Sequence, residues 1–180
     1  MMSRAWKFLI LAISLLIVTS WWFFGNLKDA VSHDWQPLAT APPALIQQFQ
    51  KDLGWGKQCE AILKSQFLQV MQPGQVAPLY LIDAGSTIRL SQRPSLCGQM
   101  GCLFAGYLQR ENKSFQQVTS GYLSQSLPSK TNKVEVVNAQ INGLPCLRFN
   151  QLSQSRFDPH LVSVIYCFDG NTYTQNLIRN

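Results

Sequence analysis

The chain has 180 residues, of which 46% are hydrophobic and 13% charged, and its formal net charge is +6. Arg4 and Lys7 supply part of that excess ahead of an apolar stretch, so the remainder is only mildly basic. The chain contains no basic cluster with interleaved aromatic residues, which disfavours a nucleic-acid-binding function.

The first predicted element is the uncharged, apolar-dominated stretch Phe8–Leu27. As a helix it would rise about 30 Å, the thickness of the hydrocarbon core of a bilayer. Trp21–Phe24 is too bulky for a signal-peptidase site and is typical of an interfacial aromatic belt, so an uncleaved anchor is predicted. A cleaved signal peptide is the alternative, with Ala30–Ser32 as its best remaining site. Because Arg4 and Lys7 precede the span, we expect a single-pass membrane protein with a cytoplasmic N-terminus and an extracytoplasmic C-terminal domain.

The remainder divides into a linker and one domain. Residues 1–25 are assigned to the cytoplasmic tip and anchor, 26–41 to a linker, and 42–180 to an extracytoplasmic domain. Pro43 fits the first turn of a helix that continues through Leu45, Phe49 and Leu53 and ends at Gly54. A second helical pattern follows, with its apolar positions at Cys59, Ile62, Leu63 and Phe67.

From residue 76 onward the chain is typical of short strands separated by turns. The predicted strands are Val76–Asp83, Thr87–Leu90, Cys102–Gln109, Phe115–Leu123, Val134–Val137, Leu144–Leu152, Leu161–Phe168 and Thr172–Ile178. Because no helical pattern intervenes, neighbouring strands are expected to pair antiparallel. The predicted fold class is α+β: an N-terminal single transmembrane helix, then one domain with one or two short helices followed by an antiparallel β-sheet meander.

Five cysteines leave at least one unpaired within a monomer. Cys97 and Cys102 are separated by a segment with two glycines, which allows the backbone to turn tightly, and outside the cytoplasm we expect a structural disulfide. A metal or redox role and a pair of buried thiols are the alternatives. A zinc site needs a second close ligand pair, which the other cysteines do not supply.

A disulfide between Cys146 and Cys167 requires that two antiparallel strands place these residues opposite each other. If they face each other, paired residue numbers sum to 313, and Leu147 meets Tyr166 on a mostly apolar face. A second disulfide is therefore predicted, with a turn near residues 156–157. Cys59 is the unpaired candidate, and a buried inert thiol is the commoner outcome for a cysteine on an apolar helix face. An intermolecular disulfide or a reactive thiol is the alternative.

The sequence shows no catalytic constellation. His33 and His160 are expected in loops, and Asp83 and Asp169 end strands, where aspartate commonly caps backbone amides. We therefore predict no catalytic, cofactor-binding or metal-binding residue and no cofactor.

The expected function is that of a membrane-anchored, extracytoplasmic and non-enzymatic accessory or binding module that interacts with another membrane or envelope component. The alternatives are an envelope enzyme using the thiol of Cys59 or the pair Cys97 and Cys102, and a transient assembly factor for a membrane complex. Thiol chemistry would need a thiolate, and no histidine lies near Cys59 in sequence to activate it.

Overall fold

The computed structural model describes residues 34–54, 65–85, 96–124, 127–128, 131–153 and 159–175. These ranges contain one α-helix, α1 (Pro43–Asp52), and a short 3-10 helix (Leu38–Thr40). The strands are β1 (Gln36–Pro37), β2 (Gln66–Val70), β3 (Leu79–Asp83), β4 (Cys97–Gly98), β5 (Gly101–Gln109), β6 (Phe115–Leu123), β7 (Val134–Ile141), β8 (Leu144–Leu152), β9 (Leu161–Phe168) and β10 (Tyr173–Gln175). The first strand and the 3-10 helix precede residue 42, at which the predicted domain begins.

The strands form two antiparallel sheets. Sheet A has the order β1-β2-β3-β5, and both β4 and β6 pair with β5. Sheet B is a four-stranded meander with the order β10-β9-β8-β7. All pairings described within both sheets are antiparallel.

The helix packs on one face of sheet A. Pro43 lies in the first turn of α1, where its missing N–H costs no hydrogen bond, and Leu45 and Phe49 lie one helical turn apart on the buried face. The ring of Phe49 contacts the ring of Tyr107 edge-on, with centroids 6.2 Å apart. Together with Leu38 these side chains belong to the helix-side core.

A second core lies between the two sheets. Sheet A contributes residues such as Leu81 and Phe104, and sheet B contributes Leu147, Phe149 and Phe168. Because sheet A has a core on each face, all five residues of β3 are buried. The described chain therefore has three layers: the helix, sheet A and sheet B.

The predicted fold class is wrong. The described chain is mostly antiparallel β-structure with one short α-helix, and its strands form two sheets instead of one meander. The physical reason is that β3 and β5 are apolar on both faces, so a single sheet would leave one face uncovered. Phe67, assigned to a second helix, lies in β2, and the remaining residues of that predicted helix lie outside the described ranges.

The predicted single-pass localisation, with a cytoplasmic N-terminus and an extracytoplasmic domain, is corrected as well. In the described ranges no helix is long and apolar enough to cross a membrane. The helix α1 has 10 residues and rises only about 15 Å. The stretch Phe8–Leu27 and the alternative cleavage site lie outside the described ranges, as does the predicted strand Thr87–Leu90.

The predicted register of the β8–β9 hairpin is confirmed. Leu147 pairs with Tyr166, and Phe149 pairs with Val164, so the residue numbers of each pair sum to 313. The bounds of β6, β8 and β9 also agree with the predicted strands. The predicted turn near residues 156–157 lies outside the described residues.

Candidate functional site

Both predicted cysteine pairs are disulfide-bonded. Cys97–Cys102 joins β4 to β5, and Cys146–Cys167 joins β8 to β9. Two disulfides in one chain favour an oxidising environment, because reducing compartments keep thiols reduced. Cys59 lies outside the described residues, so its predicted state and the thiol-enzyme alternative that uses it stay predictions.

Sheet B presents one face away from sheet A, which we name the outer face. Leu147 and Phe149 pack in the core between the sheets, so the alternating residues of β8 point the other way. By the same register the outer face comprises Glu135, Cys146, Arg148, Asn150, Leu152, Leu161, Ser163, Ile165, Cys167 and Thr174. None of these residues belongs to either core cluster. Cys146, Asn150 and Cys167 are nevertheless buried. The most accessible part of the face is formed by the exposed residues Leu161, Ser163 and Thr174.

A connected polar network occupies the outer face. Arg148 Nη1 lies 3.0 Å from Glu135 Oε2 in an ion pair, and Asn150 Nδ2 donates to Glu135 Oε1 at 3.2 Å. The same amide donates to the carbonyl of Asn132 at 2.8 Å, and Ser163 Oγ donates to Asn150 Oδ1 at 2.6 Å. Asn150 is only 3% exposed. Because its amide is both buried and satisfied, the network holds these side chains in one arrangement.

Apolar side chains flank this network. Leu161 is 43% exposed, and Leu152 and Ile165 are half-buried. The pair Cys146–Cys167 lies at the opposite end of the face from Leu161 and fixes β8 to β9 covalently. The face therefore combines exposed aliphatic surface with pre-positioned hydrogen-bonding groups, as the surfaces of protein interfaces do.

A second ion pair connects the two sheets. Lys133 Nζ, in the segment that leads into β7, lies 3.2 Å from Asp83 Oδ2 at the end of β3. Asp83 Oδ1 also accepts the backbone N–H of Gly85 at 2.8 Å. The backbone N–H of Asn150 donates to the carbonyl of Lys133 at 2.9 Å, so this contact adjoins the outer-face network.

His160 lies beside Ser153, a contact that the sequence analysis missed. Ser153 Oγ is 3.2 Å from His160 Nδ1 and also accepts the backbone N–H of His160 at 3.1 Å. The available signal was the register, since 153 and 160 also sum to 313. Ser153 N–H donates to the carbonyl of His160 at 2.8 Å, so the pair extends the β8–β9 ladder. Asp158 and His33 lie outside the described residues.

Two buried tyrosines and one turn aspartate have pKa values that are shifted by their local contacts. Burial, assisted by the charge of Asp52, raises the pKa of Tyr107 well above its usual range, and Tyr107 Oη donates to Asp52 Oδ2 at 3.0 Å. Burial also raises the pKa of Tyr173, whose hydroxyl donates to the carbonyl of Pro145 at 2.7 Å. The backbone N–H groups of Thr172 and Asn171 lower the pKa of Asp169, as expected for a turn-capping carboxylate.

Within the described ranges, no group of three or more histidine, cysteine, aspartate or glutamate side chains could hold a metal ion. No protein-family model, no curated protein and no solved structure matches this chain. The outer face of sheet B is the candidate functional site because it carries the connected network of Arg148, Glu135, Asn150 and Ser163.

Proposed function

We propose that this chain is a non-enzymatic binding module of an oxidising compartment that contacts a partner protein through the outer face of sheet B. The observation that supports the proposal is the ordered network of Arg148, Glu135, Asn150 and Ser163 beside the exposed side chain of Leu161. Pre-ordered polar groups next to apolar surface lower the entropic cost of binding.

The size of the face indicates the kind of contact. The strands β7, β8 and β9 have 8, 9 and 8 residues, and β10 has 3. At about 3.3 Å per residue and a spacing of about 4.8 Å, they present roughly 450 Å² of planar area. Standard interfaces bury about 800 Å² per partner, and transient encounters bury less. We therefore expect a partner that associates and dissociates readily.

Site-specific photo-crosslinking tests the proposal. A photoreactive residue replaces Thr174, which is exposed on the outer face and lies outside the polar network, or Gln47, which is exposed on α1 as a matched control. In the cells that make the protein, we expect a discrete protein adduct from position 174 and none from position 47. Adducts from position 47 alone, or from neither position, would contradict the proposed face.

A charge exchange separates recognition from folding. The single change R148E places two carboxylates together, whereas R148E combined with E135R restores an ion pair of reversed order. The double variant regains the ion pair but not the acceptor for the Asn150 amide, so we expect it to recover part of the thermal unfolding midpoint that R148E loses. If the face recognises a partner, the double variant also loses the adduct formed from position 174. A double variant that recovers the midpoint and retains the adduct would show that the ion pair is structural only.

A further inference from the structure

The two disulfides differ in their access to solvent. Cys146 is 0% exposed and Cys167 is 3% exposed, so the bond between β8 and β9 is buried at both ends. Cys102 is also 0% exposed, but Cys97 is half-buried and is followed by the exposed Gly98. The bond Cys97–Cys102 is therefore open to solvent on one side only.

The backbone of Gly85 lies against the buried end of the bond, at Cys102. A methyl group at this glycine would lie 2.5 Å from Cβ of Cys102 and 2.6 Å from its Sγ, so the backbone of the β3 turn lies directly against Cys102. The turn is held in place by the hydrogen bond from Gly85 N–H to Asp83. A nucleophile from solvent is thus directed to Cys97.

We propose that Cys97–Cys102 is a thiol-exchange site that an external dithiol reduces while Cys146–Cys167 remains oxidised. A thiolate of the dithiol attacks Cys97 Sγ, the bond between the two cysteines breaks, and Cys102 leaves as a thiolate that takes up a proton. The second thiolate of the dithiol then attacks the mixed disulfide and releases Cys97, which is also protonated. Two electrons pass from the dithiol, which becomes a disulfide, to the cysteine pair.

Reduction removes the covalent support of β4. This strand has two residues, and its ladder with β5 consists of the pairs Cys97 with Cys102 and Gly98 with Gly101. Such a short ladder is weak without a further constraint. The preceding Leu96 is 5% exposed in the helix-side core, and its carbonyl accepts the N–H of Leu103 at 2.9 Å. We expect the reduced protein to release Leu96 and to expose the Leu103 amide.

Differential alkylation of the full oxidised chain tests the selectivity. A first alkylation blocks any thiol, including Cys59; dithiothreitol is then added without denaturant, and a second reagent labels the new thiols for peptide mapping. We expect complete labelling of Cys97 and Cys102 while Cys146 and Cys167 remain unlabelled. Joint labelling of both pairs, or labelling only after a denaturant is added, would overturn the proposal.

Hydrogen exchange tests the structural consequence. After selective reduction, protection of the Leu103 amide should fall to the level of a C97A/C102A double variant. The C146A/C167A double variant is the matched control and should keep this amide protected in the oxidised state. Selective reduction that leaves Leu103 protection unchanged would refute the release of Leu96.

Discussion

Removal of each disulfide by paired alanine substitution should destabilise the protein by different amounts. The cysteines are 5 residues apart in Cys97–Cys102 and 21 apart in Cys146–Cys167. The loop-closure entropy of the unfolded chain then gives about 2.1 kcal/mol for the shorter loop and about 3.3 kcal/mol for the longer one. Burial acts in the same direction, because Cys146 and Cys167 are both buried and their truncation leaves a cavity.

The difference is measured by urea unfolding of the C97A/C102A and C146A/C167A variants beside the parent, followed by far-ultraviolet circular dichroism. Intact mass must show that the remaining disulfide is oxidised in each variant. We expect the C146A/C167A variant to lose at least about 1.2 kcal/mol more than its counterpart. Equal losses, or a larger loss in C97A/C102A, would refute the reasoning from loop length and burial.

Two further predictions concern the core and the buried tyrosines. Gly85→Ala should destabilise the folded protein by about 1–3 kcal/mol, because the added methyl group clashes with Cys102 of the disulfide. Gly98→Ala is the control: its methyl group meets nothing within 4 Å, so the urea midpoint should stay nearly unchanged. Equal effects of the two substitutions would contradict the clash. Burial raises the folded-state pKa of Tyr107 and Tyr173 above the ordinary 10.0. Their contribution to the free energy of unfolding is therefore complete below about pH 10. It declines as the pH rises further, because these tyrosines ionise in the unfolded chain before they ionise in the folded one. A Y107F/Y173F variant should therefore lose stability less steeply than the parent in urea titrations between about pH 9 and about pH 11.5. The difference in the slope of stability against pH should reach up to about 2.7 kcal/mol per pH unit for the two tyrosines together. The same slope in the variant and the parent would show that the buried tyrosines do not cause the alkaline loss.

The β8–β9 hairpin was predictable because one local rule determines it. Side chains alternate along both strands, so the pairing that unites Cys146 with Cys167 also collects Leu147, Phe149 and Tyr166 on one face. A shift by one residue would send the entire apolar set to the outer face. The same alternation also placed Ser153 opposite His160, although the sequence analysis did not extend the register that far.

The division into two sheets was not predictable from local patterns. Local patterns predict successive antiparallel strands both before and after residues 124–133. They do not show that β6 and β7, which are neighbours in sequence, pair in different sheets, β6 with β5 and β7 with β8. The division into two sheets depends on the three-layer packing, because Leu81 and Phe104 of sheet A are buried against strands of sheet B that are distant in sequence. The network around Asn150 is only partly local. Its contact with Ser163 follows from the register of the β8–β9 hairpin, whereas Asn132 lies in the segment that leads into β7 and Glu135 lies in β7.

Each disulfide constrains a single sheet, and neither stabilises the contact between the two sheets. Cys97–Cys102 lies within sheet A and Cys146–Cys167 lies within sheet B, so neither bond connects the sheets. The contact between the sheets rests on the shared apolar core and on polar links such as Lys133 to Asp83. Buried apolar area contributes roughly 25 cal/mol per Å², whereas a partly buried ion pair contributes little net stability. The core must therefore supply most of the free energy that holds the sheets together, and opening Cys97–Cys102 can loosen β4 without separating sheet A from sheet B.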